Sequence, residues 1–427
     1  MKPKYLIIGA GISGLTFANY CGDSYIIVEK ENEVGGYCRT IKRNGYVWDY
    51  AGHFFHFKTK EFKDIFLNKI SKDEVIYNNK CTKILYKNKL IDFPFQTNIH
   101  QLDKEEFIDC LYDLFNKKEK EKYDNFLDML YGKFGKSIVK KFLKPYNEKL
   151  YAIDLKELDV EAMGRFFPYA NKEEIINNMK KRSINSYNSS FLYPKNGAAS
   201  FINLLYKKLD KSKVLLNSQI VKIDKTKKRA ELLNGDEIEY EYLINTSPLN
   251  HFLKLVGNYD MLINEMSYNK VLVFNLGYDK QSPLCKNEHW IYIPDKKSNY
   301  YRIGFYNNIL KTEKLSMYIE IGYNKDDVID DEEINKQLEL TKKNLLKDGI
   351  ISDDMKLIDY ETVIMDPAYV HINTKTNERI RKIKSEFKKN NIYSIGRYGD
   401  WTYNSMEDSM IMAKDLAEKL VAEDIND

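Results

Sequence analysis

The chain has 427 residues, of which 43% are hydrophobic and 30% charged, a length and balance that suit a soluble globular protein of two or three domains. Its 67 basic and 63 acidic residues leave a net charge of only +4, and the basic runs Lys225–Arg229 and Arg381–Lys389 are short and interrupted, reading as solvated faces rather than a nucleic-acid surface. No apolar run nears the roughly 20 residues that span a bilayer.

Five scattered cysteines (Cys21, Cys38, Cys81, Cys110, Cys285) form no paired spacing, which argues against a disulfide framework or a zinc site and for a reducing, cytoplasmic setting. No metal site is expected. The first strand begins within four residues of the N-terminus, so no cleavable signal peptide is expected. Tyrosine is abundant, at 33 residues. Its ring and hydroxyl suit sugar and base recognition, but its abundance alone decides nothing.

In chain order, an apolar strand (Tyr5–Ile8) feeds Gly9-x-Gly11-x-x-Gly14 and a helical pattern, and a second strand (Tyr25–Val28) ends in Glu29, twenty positions after Gly9. This is a dinucleotide fingerprint. The glycines allow a tight turn and close approach to a pyrophosphate, the helix N-terminus supplies N–H groups, and the acid accepts from a ribose. A second glycine pair, Gly35-Gly36, and Arg39 follow directly. A nicotinamide enzyme has no evident need for this second phosphate-side loop. The stretch resembles flavoproteins of the amine oxidase, protoporphyrinogen oxidase and sugar-nucleotide mutase group, which implies FAD.

From Glu61 to about Lys180 the pattern reads as helical, with Lys104–Phe115, Glu119–Tyr131 and Ser137–Phe142 broken by Gly132 and Pro145. Strands are expected at Val214–Ile223, across a hairpin with an Asn-Gly turn (Ala230–Tyr240), and at Tyr242–Asn245. A strand-rich block follows at Val271–Leu276, His289–Ile293, Tyr300–Tyr306 and Leu315–Ile321, then a helix over Glu332–Asp348. A strand-turn at Ile392–Arg397 precedes a final helix, Met406–Ala422. The expected fold class is α/β: a discontinuous Rossmann-like FAD-binding domain (1–58, 186–250 and 385–427) with a helical insertion (59–185) and an antiparallel-sheet substrate domain (251–384).

Four further segments carry a more specific resemblance: Asp49-Tyr-Ala-Gly52-His53-Phe-Phe-His56, Phe93-Pro-Phe95-Gln96, Lys144-Pro-Tyr-Asn147-Glu-Lys-Leu-Tyr151, and Gly396-Arg397-Tyr-Gly-Asp-Trp401-Thr-Tyr403. Together and in this order they resemble UDP-galactopyranose mutases of the eukaryotic type over nearly the whole chain. The resemblance implies an isomerase that interconverts pyranose and furanose forms of a nucleoside-diphosphate sugar without net redox change, with N5 of reduced FAD as the nucleophile at the anomeric carbon. It implies that Gly52 and His53 sit beside the flavin, and that Gly396 and Arg397 complete the cofactor site. Arg302 and Arg397 would stabilise the departing diphosphate.

The same resemblance places Tyr292, Tyr369 and Tyr403 on the diphosphate and sugar, and Phe93, Phe95, Gln96, Asn147 and Tyr151 around the nucleoside. Asn188 matches a sugar-facing position, and Arg165 a position near the flavin. The chain departs from the family pattern at Phe93, usually Tyr, at Tyr151, usually Trp, and at Ile309, where a Tyr is expected. These changes touch base and phosphate recognition and leave open both the base and the sugar. The reductant stays open between NAD(P)H and another donor, as does the oligomeric state. The alternative reading is an FAD-dependent oxidoreductase of the amine oxidase or protoporphyrinogen oxidase type.

Overall fold

The computed structural model describes residues 2–162, 167–180 and 189–426. Its organising element is a five-stranded parallel sheet in the order Ile392–Ser394, Tyr242–Asn245, Tyr5–Ile8, Tyr25–Val28, Val214–Leu215. Strands from both ends of the chain and from its middle thus lie side by side. Tyr5–Ile8 is buried at every position, as a sheet covered on both faces requires. Tyr5 and Ile7 pack with the helices Ile12–Tyr20, Ala199–Lys207 and Met406–Asn426 on one face. Leu6 and Ile8 pack on the other against a three-stranded layer (Ile220–Asp224, Arg229–Leu232, Glu237–Glu239) and the helix Leu249–Val256. Strand order reverses between Tyr5–Ile8 and Tyr242–Asn245, and a crevice beyond their carboxyl ends is where such sheets bind ligands.

A seven-stranded sheet forms the second layer, in the order Leu357–Val370, Tyr268–Tyr278, Ser316–Asn324, Arg302–Phe305, Trp290–Tyr292, Thr82–Tyr86, Lys89–Asp92. All its pairings are antiparallel except Trp290–Tyr292 with Thr82–Tyr86. Residues 75–92, expected to be helical, instead supply three strands, two of which extend this sheet while Val75–Asn79 pairs with Ser190–Pro194. The alternation of buried Ile84 and Ile91 with half-exposed or exposed lysines is a strand period, and a single sequence pass underweights it among so many charges. The fourteen-residue strand Leu357–Val370 at the edge of this sheet was not anticipated from sequence, nor was the helix Thr374–Lys388, which packs on the parallel-sheet side with Phe387 against Phe252.

The helices between Lys104 and Lys180 enclose their own apolar cluster, with Phe126, Leu130, Phe134, Ile138 and Phe142 recurring every fourth residue and buried. Neither Gly132 nor Pro145 breaks a helix here. Gly132 lies inside Phe126–Phe134, where a Cβ would meet the Tyr123 ring at 2.2 Å. Lys136–Tyr151 runs on as one helix through a π-helical turn at Val139–Leu143 directly before Pro145. The looser turn accommodates a residue that has no N–H to give and whose ring crowds the preceding turn.

Candidate functional site

A cleft of about 990 Å³ runs from the crevice of the parallel sheet to the edge of the seven-stranded one. Its first half is backbone. Gly9 takes φ +96°, and a Cβ there would meet the Thr246 hydroxyl at 2.7 Å. Gly14 lies beneath the turn, where a Cβ would fall 2.0 Å from the Gly9 carbonyl oxygen, so its role is to let helix and strand close up. Gly11 differs: a Cβ there would point into open space within the cleft. It also caps the helix Ile12–Tyr20, and among the described residues no side chain accepts from the helix's first N–H groups. Beside it Gly35 and Gly36 adopt φ +121° and +55°, and the Gly35 N–H donates to the Ala10 carbonyl at 2.9 Å. The Glu29 carboxylate accepts from the N–H groups of Ala10 (2.7 Å) and Glu31 (3.0 Å). Arg39 pairs loosely with Glu31 and Glu33, at 3.7 and 3.8 Å, while its Nε is buried without a hydrogen-bond partner. Open helix N–H groups, a cradle a Cβ would fill and an under-satisfied guanidinium together suit a pyrophosphate-bearing dinucleotide.

The middle of the cleft is the segment Ala51-Gly52-His53. Buried Asp49 anchors it by accepting from Thr40 Oγ1 (2.6 Å), the Tyr193 hydroxyl (2.6 Å) and Ala198 N–H (3.0 Å). Burial pushes the Asp49 carboxyl up to about 6, against the pull of those donors. Ala51 sits at φ +63° with its carbonyl accepting from the Tyr306 hydroxyl at 3.1 Å. At Gly52 a Cβ would lie 2.5 Å from the Tyr318 hydroxyl, so this glycine makes room for a neighbouring tyrosine. Burial, with Arg397 and Arg302 adding to it, pushes the His53 imidazole down to about 4, so it is neutral at pH 7.

Two arginines close the far end, and their settings differ. Arg302 Nη2 pairs with Glu320 Oε1 at 2.5 Å and donates to the Tyr369 hydroxyl at 3.3 Å, while Arg302 Nε and Glu320 Oε2 are left without partners. Arg302 and Glu320 are cross-strand neighbours, and Glu320 is 1% exposed. Arg397 has no carboxylate within ion-pair distance among the described residues. Its guanidinium stacks on Tyr403 (4.4 Å to the ring centre) and Tyr369 (5.2 Å), and Nη1 donates to the Asn404 carbonyl at 3.0 Å. Gly396, at φ +79°, carries this turn against Ser13, whose hydroxyl oxygen lies 2.3 Å from where a Cβ would sit. A cation without a counterion, stacked between tyrosines and lining a cleft, is set to receive an anion.

The cleft therefore gathers Gly9, Gly11, Glu29, Gly35, Gly36, Arg39, Gly52, His53, Arg302, Tyr369, Arg397 and Tyr403. Phe93, Phe95, Gln96, Asn147, Tyr151 and Tyr292 lie outside its lining. Phe95 is fully buried and stacks on Phe142, and Gln96, also fully buried, donates to the Pro168 carbonyl. Asn147 donates to the Leu143 carbonyl at 2.6 Å, as a residue inside a helix commonly does. Tyr292 joins the groups: its ring packs on Phe93 (4.9 Å) and Tyr146 (5.1 Å), and its hydroxyl accepts from Trp290 Nε1 at 3.0 Å. Tyr151 meets Tyr369 edge-on at 6.4 Å. Arg165 and Asn188 lie outside the described residues. Sequence reading missed Glu320 and Tyr318, although a single acid between Ile319 and Ile321 in an apolar strand was a visible signal.

Residues 7–67 match the family described as NAD(P)-binding Rossmann-like domain. A corticosteroid-binding protein of Candida albicans is 26% identical over a 273-residue alignment that covers 58% of this chain and 52% of that protein, so the chain spans about half the length of the curated relative it matches. Among solved structures, reduced UDP-galactopyranose mutase superposes with a TM-score of 0.91 at 23% identity, over 99% of this chain and 94% of that one. A putative protoporphyrinogen oxidase from Exiguobacterium sp. 255-15 gives 0.73 at 17% identity over 98% of both chains. Cyclohexylamine oxidase from Brevibacterium oxydans gives 0.66 at 13% over the full length of both. The chain is built on the fold that UDP-galactopyranose mutase shares with these oxidases, with a Rossmann-like dinucleotide-binding unit at its core.

Proposed function

We propose that this protein is a flavin-dependent mutase interconverting the pyranose and furanose forms of a nucleoside-diphosphate sugar, with UDP-galactopyranose and UDP-galactofuranose the leading pair. The observation that carries the reading is the convergence of Arg302 and Arg397 on Tyr369 in the cleft that also holds the dinucleotide cradle. Two guanidiniums and tyrosine hydroxyls suit an anionic, hydroxyl-rich ligand, whereas an amine or a porphyrin calls for an apolar or aromatic-caged tunnel.

FAD fits the cradle in this reading, held by Gly11, Glu29, Gly35, Gly36 and Arg39, with Gly52, His53 and Gly396 toward the flavin. When bound and reduced, a flavin supplies a nucleophilic N5 for the anomeric carbon. Arg397 binds the diphosphate with its unneutralised charge. Arg302, held by Glu320, adds a second cation whose direction is set before the ligand arrives. Neutral His53 contributes a hydrogen bond without repelling either arginine. Tyr369 and Tyr403 fix the arginine planes and offer hydroxyls to the sugar. Five free thiols suit a cytoplasmic setting.

Titration with UDP, followed by calorimetry, tests the ligand class. Wild type is expected to bind UDP, and Arg397→Ala to bind at least about tenfold more weakly, the loss typical of a charge-assisted hydrogen bond. UDP binding indifferent to Arg397→Ala, together with hydrogen peroxide released on amines, would favour the oxidoreductase alternative.

A further inference from the structure

A second cavity, of about 520 Å³, shares no lining residue with the cleft and falls within the roughly 300–1,000 Å³ usual for small-molecule sites. Its most constrained group is His289, only 7% exposed. The Cys81 backbone N–H donates to His289 Nδ1 at 3.1 Å, so the neutral ring must carry its proton on Nε2. Burial, helped by the Lys311 ammonium, pushes the imidazole down to about 4, and the ring stays neutral at pH 7. The Nε2–H group has no partner among the described residues, although the side chain lines the cavity. A fixed donor is thereby held at a nine-tenths buried position.

Lys286 and Lys311 line the same cavity, are exposed, and have no ion-pair partner among the described residues. They outnumber the one lining carboxylate, Glu313, so the local charge is positive. The rim adds exposed amides, Asn79, Asn287 and Gln281, and Tyr77, which is 60% exposed. Lysines and a neutral imidazole donor select oxygen anions, amides pair with hydroxyls in both senses, and an exposed tyrosine ring covers the apolar face of a sugar.

We propose that this cavity binds the phosphate monoester of a sugar, with His289 Nε2–H, Lys286 and Lys311 on the phosphate and the rim amides and Tyr77 on the hydroxyl-bearing body. It is a binding site distinct from the cleft and does not rest on the mutase reading. Calorimetric titration of the purified full chain, carrying its cofactor, with glucose 1-phosphate, inorganic phosphate and glucose tests it. Glucose 1-phosphate is expected to bind best, inorganic phosphate more weakly, and glucose without measurable heat at the same concentration. Lys311→Glu, at an exposed position that spares the core, is expected to weaken glucose 1-phosphate at least about tenfold. His289→Gln, which can still offer an N–H, should retain more affinity than His289→Phe. Arg397→Ala should leave the binding unchanged. Wild-type affinity in Lys311→Glu, equal binding of glucose, or loss of binding in Arg397→Ala would overturn the assignment, the last by placing the ligand in the cleft.

Discussion

At the scale of single residues, the two arginines of the cleft are chemically alike and energetically different. Removing Arg302 leaves the Glu320 carboxylate buried and unpaired, so Arg302→Ala is expected to lose about 3–5 kcal/mol of stability in urea unfolding. Adding Glu320→Gln should return most of that stability while leaving activity low, which separates the ligand role from the structural one. Arg397 strands no counter-charge, so Arg397→Ala should cost about 1 kcal/mol of stability, the worth of its tyrosine stacking. Its turnover should fall about 10²–10³-fold, the usual cost of one transition-state charge contact. Equal stability losses in the two variants would show that the ion pair does not decide the difference. The arginines were legible in the sequence because each sits in a recognisable segment. Glu320 was not singled out, because its meaning comes from pairing with a strand eighteen positions earlier.

At the scale of elements, the strand–turn–helix at the N-terminus is the unit on which the cleft depends. Gly14→Ala would press a Cβ to 2.0 Å from the Gly9 carbonyl, which neither backbone segment can yield without opening the turn. Retention of the dinucleotide after gel filtration, read from the absorbance of the eluted protein, is expected to fall in this variant. Gly11→Ala meets nothing within 4 Å in the protein itself, so it should fold normally and lose only ligand affinity. This first unit was readable because local chemistry fixes it: glycines where φ is positive or backbones touch, and an acid at the strand end. Within residues 75–92, misread as helical, Val75–Asn79 and Thr82–Tyr86 are completed by partners more than a hundred positions away, at Ser190–Pro194 and Trp290–Tyr292, while Lys89–Asp92 folds back on Thr82–Tyr86 across a Lys87-Asn88 turn. Pro145 was expected to end a helix, and a π-helical turn carries the chain past it. Tertiary packing overrode local preference in both places.

At the scale of the whole molecule, the discontinuous parallel sheet was foreseeable from three widely spaced strand signals, while the order of the seven-stranded sheet was not, because register is set by contacts between distant segments. Burial also gives the protein a pH dependence. His289 and His371, 7% and 4% exposed, are both pushed by burial from 6.5 to about 4. Between these values the unfolded chain binds protons that the folded one does not, so stability is full above 6.5 and falls on acidification, by roughly 3 kcal/mol per histidine at pH 4. Asp49, raised from 3.8 to about 6, acts in the opposite sense over much the same range but is one group against four, since His53 and His56 are likewise pushed down to about 4. Thermal unfolding is therefore expected to show a lower midpoint at pH 4.5 than at pH 7, and a midpoint independent of pH would contradict the assignment of neutral buried imidazoles.

What the cleft does with its two arginines beside a dinucleotide cradle can be read from the fate of a nucleotide sugar. UDP-galactofuranose is mixed with the protein, once reduced by dithionite without oxygen and once oxidised in air, and the nucleotide sugars are resolved by chromatography. Conversion to UDP-galactopyranose by the reduced protein alone, with no net consumption of reductant, is the expected result. Unchanged UDP-galactofuranose under reducing conditions, or a substrate oxidised with hydrogen peroxide accumulating in air, would rule out the mutase reading.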